Sequence, residues 1–263
     1  MAHNARMSRA LASALVGALL HFAAPARADG PLRVAAASDL AAAFKEVGAA
    51  FEKQHGTKVV FSFGSTGLLA KQLEQGAPFD VFAAANVSFT DDVVEAGACD
   101  RSTRALYARG QIVVWVAPNE PAPKSVAELA EPRFRRVAIA NPEHAPYGRA
   151  AMQTFETLKL TAALKPKLVY GENVQQALQF AQSGNAEAAV VALSLAIMTG
   201  GHYLAIDDKL HKPIDQAMVA CGKSPQRLDE ARRFIAFVNS EAGRAIMKRF
   251  GFLLPGESHA KIP

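Results

Sequence analysis

At 263 residues with 50% apolar side chains, the chain is long enough to bury two separate cores. Its formal charge of +5 is not gathered into a basic stripe with interleaved aromatics, which excludes an evident nucleic-acid face. Part of that charge also sits in the first 28 residues. Arg6 and Arg9 precede an apolar run from Ala10 to Ala24, and Ala26-Arg27-Ala28 makes a small-x-small cleavage site before Asp29. The run is short for a bilayer span, and no cysteine follows the cleavage site to carry a lipid. Residues 1–28 are read as a signal peptide, and the remainder as a secreted, soluble protein of charge about +2. Cys99 and Cys221 would then meet an oxidising compartment. Their wide spacing does not show that they pair, so two separate, partly buried thiols are expected. Neither has metal-ligand spacing.

After the leader, β-rich apolar runs alternate with helical patterns. Val34-Ala35-Ala36-Ala37 reads as a buried strand that stops at Ser38-Asp39. Apolar positions at Leu40, Phe44, Val47 and Phe51 then follow a helical period, which places Ser38 at a helix N-cap. Lys58 to Phe63 reads as a second strand ending at Gly64-Ser65-Thr66-Gly67, followed by a helix from Leu68 to about Gln75 with Gly76 as its left-handed cap. Asp80 to Ala85 is a third strand, and helices are expected near Phe89 to Ala96 and Ser102 to Ala108.

Gln111 to Val116, just after Gly110, is a long apolar strand suited to crossing between lobes. Pro118 to Lys124 is a proline-rich connection, and Ser125 to Glu128 has capping-box spacing for a short helix. Arg136 to Ala140 is a strand that runs into Asn141-Pro142-Glu143-His144-Ala145-Pro146-Tyr147-Gly148, with a helix through Leu158 beyond. Leu168 to Tyr170 is another strand, Asn173 caps a helix from Val174 to Ser183, and Ala188 to Leu193 feeds Ser194 to Thr199. Gln216 to Ala220 reads as a return strand. Ser224-Pro225 opens a helix to about Asn239, and Ser240 caps a last one ending at Phe250. Strands separated by helices predict an α/β fold with mainly parallel sheets. Crossings near Gly110 and Gln216 divide it into lobe I, residues 29–110 with 216–263, and lobe II, residues 111–215.

Four strand-to-helix junctions carry the chemistry: Ser38, Ser65-Thr66-Gly67, Tyr147-Gly148 and Asn173-Val174. Each offers unpaired backbone N–H groups at the positive end of a helix dipole. Facing each other across two lobes, such ends can hold one anion without a countercharge, which suits an oxyanion that must later be released.

These stretches resemble a family. Ala35-Ala36-Ala37-Ser38, Phe63-Gly64-Ser65-Thr66-Gly67-Leu68, Gly76-Ala77-Pro78-Phe79-Asp80, the Asn141 to Ala150 turn and the closing Arg249-Phe250-Gly251-Phe252 are similar, in order, to the periplasmic molybdate-binding proteins (ModA) of ABC importers. The resemblance implies a two-lobed type II periplasmic binding fold that closes on molybdate or tungstate and needs no cofactor. It further implies hydroxyl ligands at Ser38 and at Thr66, or at Ser65 if the loop register shifts by one, and backbone N–H ligands at Tyr147 and Val174. The molybdenum would be held through these four contacts to its oxygens. Some members carry a Tyr where this chain has Ala192, so the Tyr147 hydroxyl is expected to serve as a further donor. The implied partners are a permease in the inner membrane and a small oxyanion. The implied location is the periplasm and the implied state a monomer.

Asp39 is the awkward neighbour. The simple expectation is a first-turn acid with its carboxylate turned away from the anion. The alternative is a carboxylate facing the pocket. It would repel a full dianion and favour a protonated oxyanion, or shift preference toward sulfate or a phosphate-like ligand. An enzyme reading, a hydrolase using Ser38 or Ser65 with His144, lacks a G-x-S-x-G elbow, a phosphate loop or a zinc motif. His144 is expected to be a local or solvated loop residue, and Glu143 and Glu172 rim or capping acids. A ligand-sensing half of a transcription regulator is opposed by the leader and by the absence of a DNA-binding helix pair.

Overall fold

The computed structural model describes residues 30–257; the signal-peptide reading falls outside that range. The chain opens with β1 (Leu32–Ala37), a single 3-10 turn (Ser38–Leu40) and α1 (Ala41–His55), followed by β2 (Val59–Gly64), α2 (Thr66–Glu74), β3 (Val81–Ala84) and α3 (Val87–Glu95). Then β4 (Asp100–Gly110) passes directly into β5 (Ile112–Val116). Next come β6 (Val137–Ala140), α4 (Pro146–Thr157), α5 (Thr161–Leu164), β7 (Leu168–Gly171), α6 (Val174–Gln182), β8 (Ala188–Ala192), α7 (Leu193–Ala196) and β9 (His202–Ala205). The chain returns through β10 (Ile214–Ala220) to α8 (Pro225–Val238) and α9 (Glu241–Arg249).

Two five-stranded sheets form, in the orders β2-β1-β3-β10-β4 and β7-β6-β8-β5-β9. In the first, β1 is parallel to β2 and β3, while β10 is antiparallel to β3 and β4. In the second, β6 is parallel to β7 and β8, while β5 is antiparallel to β8 and β9. Each sheet thus has one reversed strand, and in each it is the strand just past a crossing. The fold is α/β and two-lobed, as the alternating pattern predicts. Small residues in β1, β3 and β8 let helices pack on both sheet faces, and Phe44, Phe51, Trp115 and Phe234 fill the space between.

Two expectations are overturned here, and both lie on the same ladder. Ser102 to Ala108 is not a helix but the middle of β4, held at the sheet edge by β10. Its Arg104-Ala105-Leu106 run favours a helix locally, and pairing with a strand far away in sequence overrides it. The cysteines are not separate thiols: Cys99 and Cys221 form a disulfide, with Cα atoms 4.0 Å apart. The cause is register. Ala220 stands opposite Asp100 in the antiparallel ladder, so the next pair outward is Cys221 and Cys99. Smaller departures are β9 and α5, short elements the sequence pattern did not mark, and Ser125, whose side chain makes no cap.

The disulfide closes a loop of sequence separation 122. In the loop-closure account this constrains the unfolded chain by roughly 5 kcal/mol. Reduction, or paired Cys99→Ser and Cys221→Ser, should lower the urea-unfolding free energy by about 3–5 kcal/mol; an unchanged midpoint would remove it from the stability of the fold.

Candidate functional site

The carboxyl ends of β1, β2, β6 and β7 point toward one cavity between the sheets, the usual place for a ligand in an open α/β sheet. The cavity is small and tightly lined. Ser38, Asp39, Ser65 and Thr66 line it from the first lobe, and Pro146, Tyr147, Asn173 and Val174 from the second. Each of the four junctions thereby contributes to one lining, with Gly67 and Gly148 outside it.

The donors at each junction are free for a local reason. Ser38 is not an N-cap as expected. Ala37 holds that position and Ser38 is the first residue of the 3-10 turn, making no capping bond. Among the described residues its hydroxyl has no partner, although the side chain is buried. Thr66 Oγ1 accepts the Ala85 N–H at 3.2 Å, which leaves its own proton to donate. In the second lobe, Asn173 caps α6 by accepting the N–H groups of Gln175 and Gln176, so the Val174 N–H is left over. At the start of α4, Pro146 has no N–H and Ala145 makes no side-chain cap, which leaves the Tyr147 N–H unpaired. The result is two hydroxyls and two backbone N–H groups around one small space, with no cation among the residues lining it.

Ser65 is committed elsewhere. Its hydroxyl donates to the His144 carbonyl at 2.8 Å and lies 2.7 Å from His144 Nδ1, so the imidazole is the donor in the second contact. The loop residue His144 is therefore a clasp between the lobes rather than a local or solvated side chain. The neighbouring Gly67 N–H also donates to the His144 carbonyl, at 3.0 Å. A Cβ on Gly67 would come within 2.9 Å of that oxygen, which is why the turn needs glycine. The Ser65–His144 distance resembles a nucleophile and base. However, the serine proton points to a carbonyl, and no carboxylate among the described residues bonds the ring's other nitrogen.

Asp39 is the expected first-turn acid, but it is fully buried. Its Oδ2 accepts from the Tyr147 hydroxyl at 2.9 Å and from Gln216 Nε2 at 2.7 Å, while Oδ1 has no partner. Its backbone carbonyl accepts from Ser194 Oγ on α7 at 2.8 Å. The Tyr147 hydroxyl is thus spent on Asp39, which corrects the expectation that it donates to the anion; only its N–H remains for that. Burial pushes the Asp39 carboxyl up to about 6, against the lowering effect of the Gln216 and Tyr147 hydrogen bonds. Burial, and then the Asp39 charge, hold the Tyr147 hydroxyl well above its ordinary value. Gln216, read from the sequence as the start of the return strand and the second crossing, is the polar neighbour of the site that the sequence reading missed. A buried amide in a strand that is apolar except for the half-buried Asp215 beside it is a signal that a polar partner waits.

The family model for "Bacterial extracellular solute-binding protein" matches residues 32–253. The molybdate-binding protein ModA of Azotobacter vinelandii is 36% identical over 246 residues, covering 92% of this chain and 96% of that protein. This chain belongs to the ModA family of bacterial extracellular solute-binding proteins. ModA of Rhodobacter capsulatus is 35% identical, over 93% of this chain and 96% of its own length. The solved Azotobacter vinelandii periplasmic molybdate-binding protein superposes with a TM-score of 0.78 at 29% identity, over 85% of this chain and 99% of that one. The type II periplasmic binding architecture follows.

Because the Asp39 carboxyl sits at about 6 when folded against 3.8 in its ordinary state, the folded protein binds the extra proton. Its contribution to stability is present below about pH 4 and is lost as pH rises through about 6, by roughly 3 kcal/mol. Urea unfolding of wild type and Asp39→Asn across that window should show the variant gaining on wild type as pH rises. Parallel curves would mean that the carboxyl titrates normally.

Proposed function

We propose that this chain captures molybdate, and tungstate with it, in the interlobe cavity and delivers it to the permease of an ABC importer. The single observation that carries this reading is the convergence of two hydroxyls and two unpaired helix-start N–H groups on one small, cation-free cavity. Its relatives of known name supply the ligand, and the donor chemistry is what a tetrahedral oxyanion requires. Ser38 and Thr66 are the hydroxyl ligands, and Tyr147 and Val174 the N–H ligands. Thr66 is preferred to Ser65 because its proton is free.

Lobe I, residues 29–110 with 216–263, and lobe II, residues 111–215, open and close about the two crossings. Ligand that bridges them favours the closed form, which then docks on the permease. The protein works in the periplasm as a monomer, exported by the segment 1–28, and performs no catalysis.

Calorimetry with molybdate, tungstate, sulfate, phosphate and chromate tests the reading: molybdate and tungstate should bind, and sulfate, being smaller, more weakly. Ser38→Ala and Thr66→Ala should each weaken molybdate by about 10- to 100-fold, as loss of a hydrogen bond to a charged group does. Ser65→Ala should stay within about three-fold. Binding of none of these anions, with a carboxylate or a metal cation bound instead, would overturn the assignment.

A further inference from the structure

The mechanism above uses four neutral donors and leaves one buried ionisable group in the cavity wall unexplained. We infer that Asp39 is a positioning residue that makes oxyanion capture proton-coupled: its carboxylate ties Tyr147 of the second lobe to Gln216 of the return strand, and it takes up a proton when a dianion settles beside Ser38. This rests on the oxyanion reading and deepens it.

The geometry carries the first half. Asp39 follows Ser38 directly, so the carboxylate and the anion site share one backbone turn. Its Oδ2 holds Tyr147, whose N–H is one of the proposed ligands, at 2.9 Å through the phenol. It also holds Gln216 at 2.7 Å, and Gln216 Nε2 lies 3.1 Å from the Tyr147 oxygen, closing a three-membered network across the lobes. Gly110, at the β4–β5 crossing, makes room for it: a Cβ there would lie 2.1 Å from the Tyr147 hydroxyl. Opening the lobes must part Asp39 from Tyr147, so the network exists only when the site is assembled.

Charge carries the second half. None of the ion pairs of the described residues includes Asp39. The titratable groups facing it are Tyr147 on α4 and Tyr107 on β4, both held protonated well above the ordinary range by burial. Gln216 on β10 and Ser194 on α7 are neutral. The charges nearest along those strands, Arg109 and Asp215, pair with each other at 2.6 Å. A dianion entering this wall meets an unneutralised carboxylate in a desolvated site, and like charges so placed favour protonation of the weaker acid. Asp39 Oδ1 and Gln216 Oε1 are both buried without a partner, so a proton on Oδ1 would add a donor to a wall where the ionised form offers only acceptors. The free carboxyl, already pushed up to about 6, needs only a modest further rise to take the proton near neutral pH.

The test is molybdate binding by calorimetry between about pH 8 and about pH 5.5, in pairs of buffers that differ in ionisation enthalpy. Wild type should take up a fraction of a proton approaching one, with affinity rising by up to about ten-fold per pH unit as pH falls. Asp39→Asn should bind molybdate with no such slope and, at about pH 8, more tightly than wild type. Tyr147→Phe removes one donor to the ionised carboxylate but keeps the backbone ligand. It should move the inflection to higher pH, and it serves if Asp39→Asn fails to fold. His144→Gln should keep the proton uptake. Molybdate binding by wild type with no proton uptake, or uptake that survives Asp39→Asn or vanishes in His144→Gln, overturns this inference and leaves the molybdate reading standing. No oxyanion binding at any pH overturns both.

Discussion

Reversal of β5 and β10 against the direction of their sheets is the constraint on which the site depends. Each of these strands follows a crossing, so the chain enters the second sheet, and later re-enters the first, against the grain. The carboxyl ends of the parallel strands in both sheets consequently face one another across a narrow gap. A parallel strand must hand its chain to a helix, and a helix start leaves N–H groups without partners. Two sheets facing each other in this way concentrate such groups on one point. Selective capping then decides which donors remain: Asn173 takes the two N–H groups behind Val174, and Pro146 contributes none ahead of Tyr147.

An anion site made of neutral donors gains its attraction from dipoles and hydrogen bonds rather than from a countercharge. A lysine or arginine in the same place would hold a dianion in the open lobe as well as the closed one. Donors divided between two lobes converge on one point only where the lobes meet. The side-chain clasps agree with that division. Ser65 reaches His144 on one side of the cavity, Asp39 reaches Tyr147 on another, and Ser194 holds the Asp39 carbonyl.

Much of this was legible in the sequence because it is local. The four junctions are strand-to-helix turns, and the residues that shape them, Ser38, Thr66, Tyr147 and Val174, stand within a few positions of the pattern that reveals them. The largest departures trace to one strand. β10 pairs with β4 over more than a hundred residues of sequence, and that pairing turns an apparent helix at Ser102 to Ala108 into an edge strand. It also sets Cys99 opposite Cys221, and it delivers Gln216 to Asp39. Local propensity cannot register a partner so distant, and a buried carboxylate looks like an ordinary first-turn acid until its neighbours are known.

The same disulfide has a consequence for the covalent shape of the molecule. Every strand of the second sheet lies between Cys99 and Cys221, so the whole second lobe hangs within a closed ring of polypeptide. The proline-rich connection from Pro118 to Lys124, exposed except at Pro123, belongs to that ring. A chain cut there would keep its two pieces joined, with the first sheet still assembled from segments on either side of the break. The second lobe can thus be nicked without the protein coming apart.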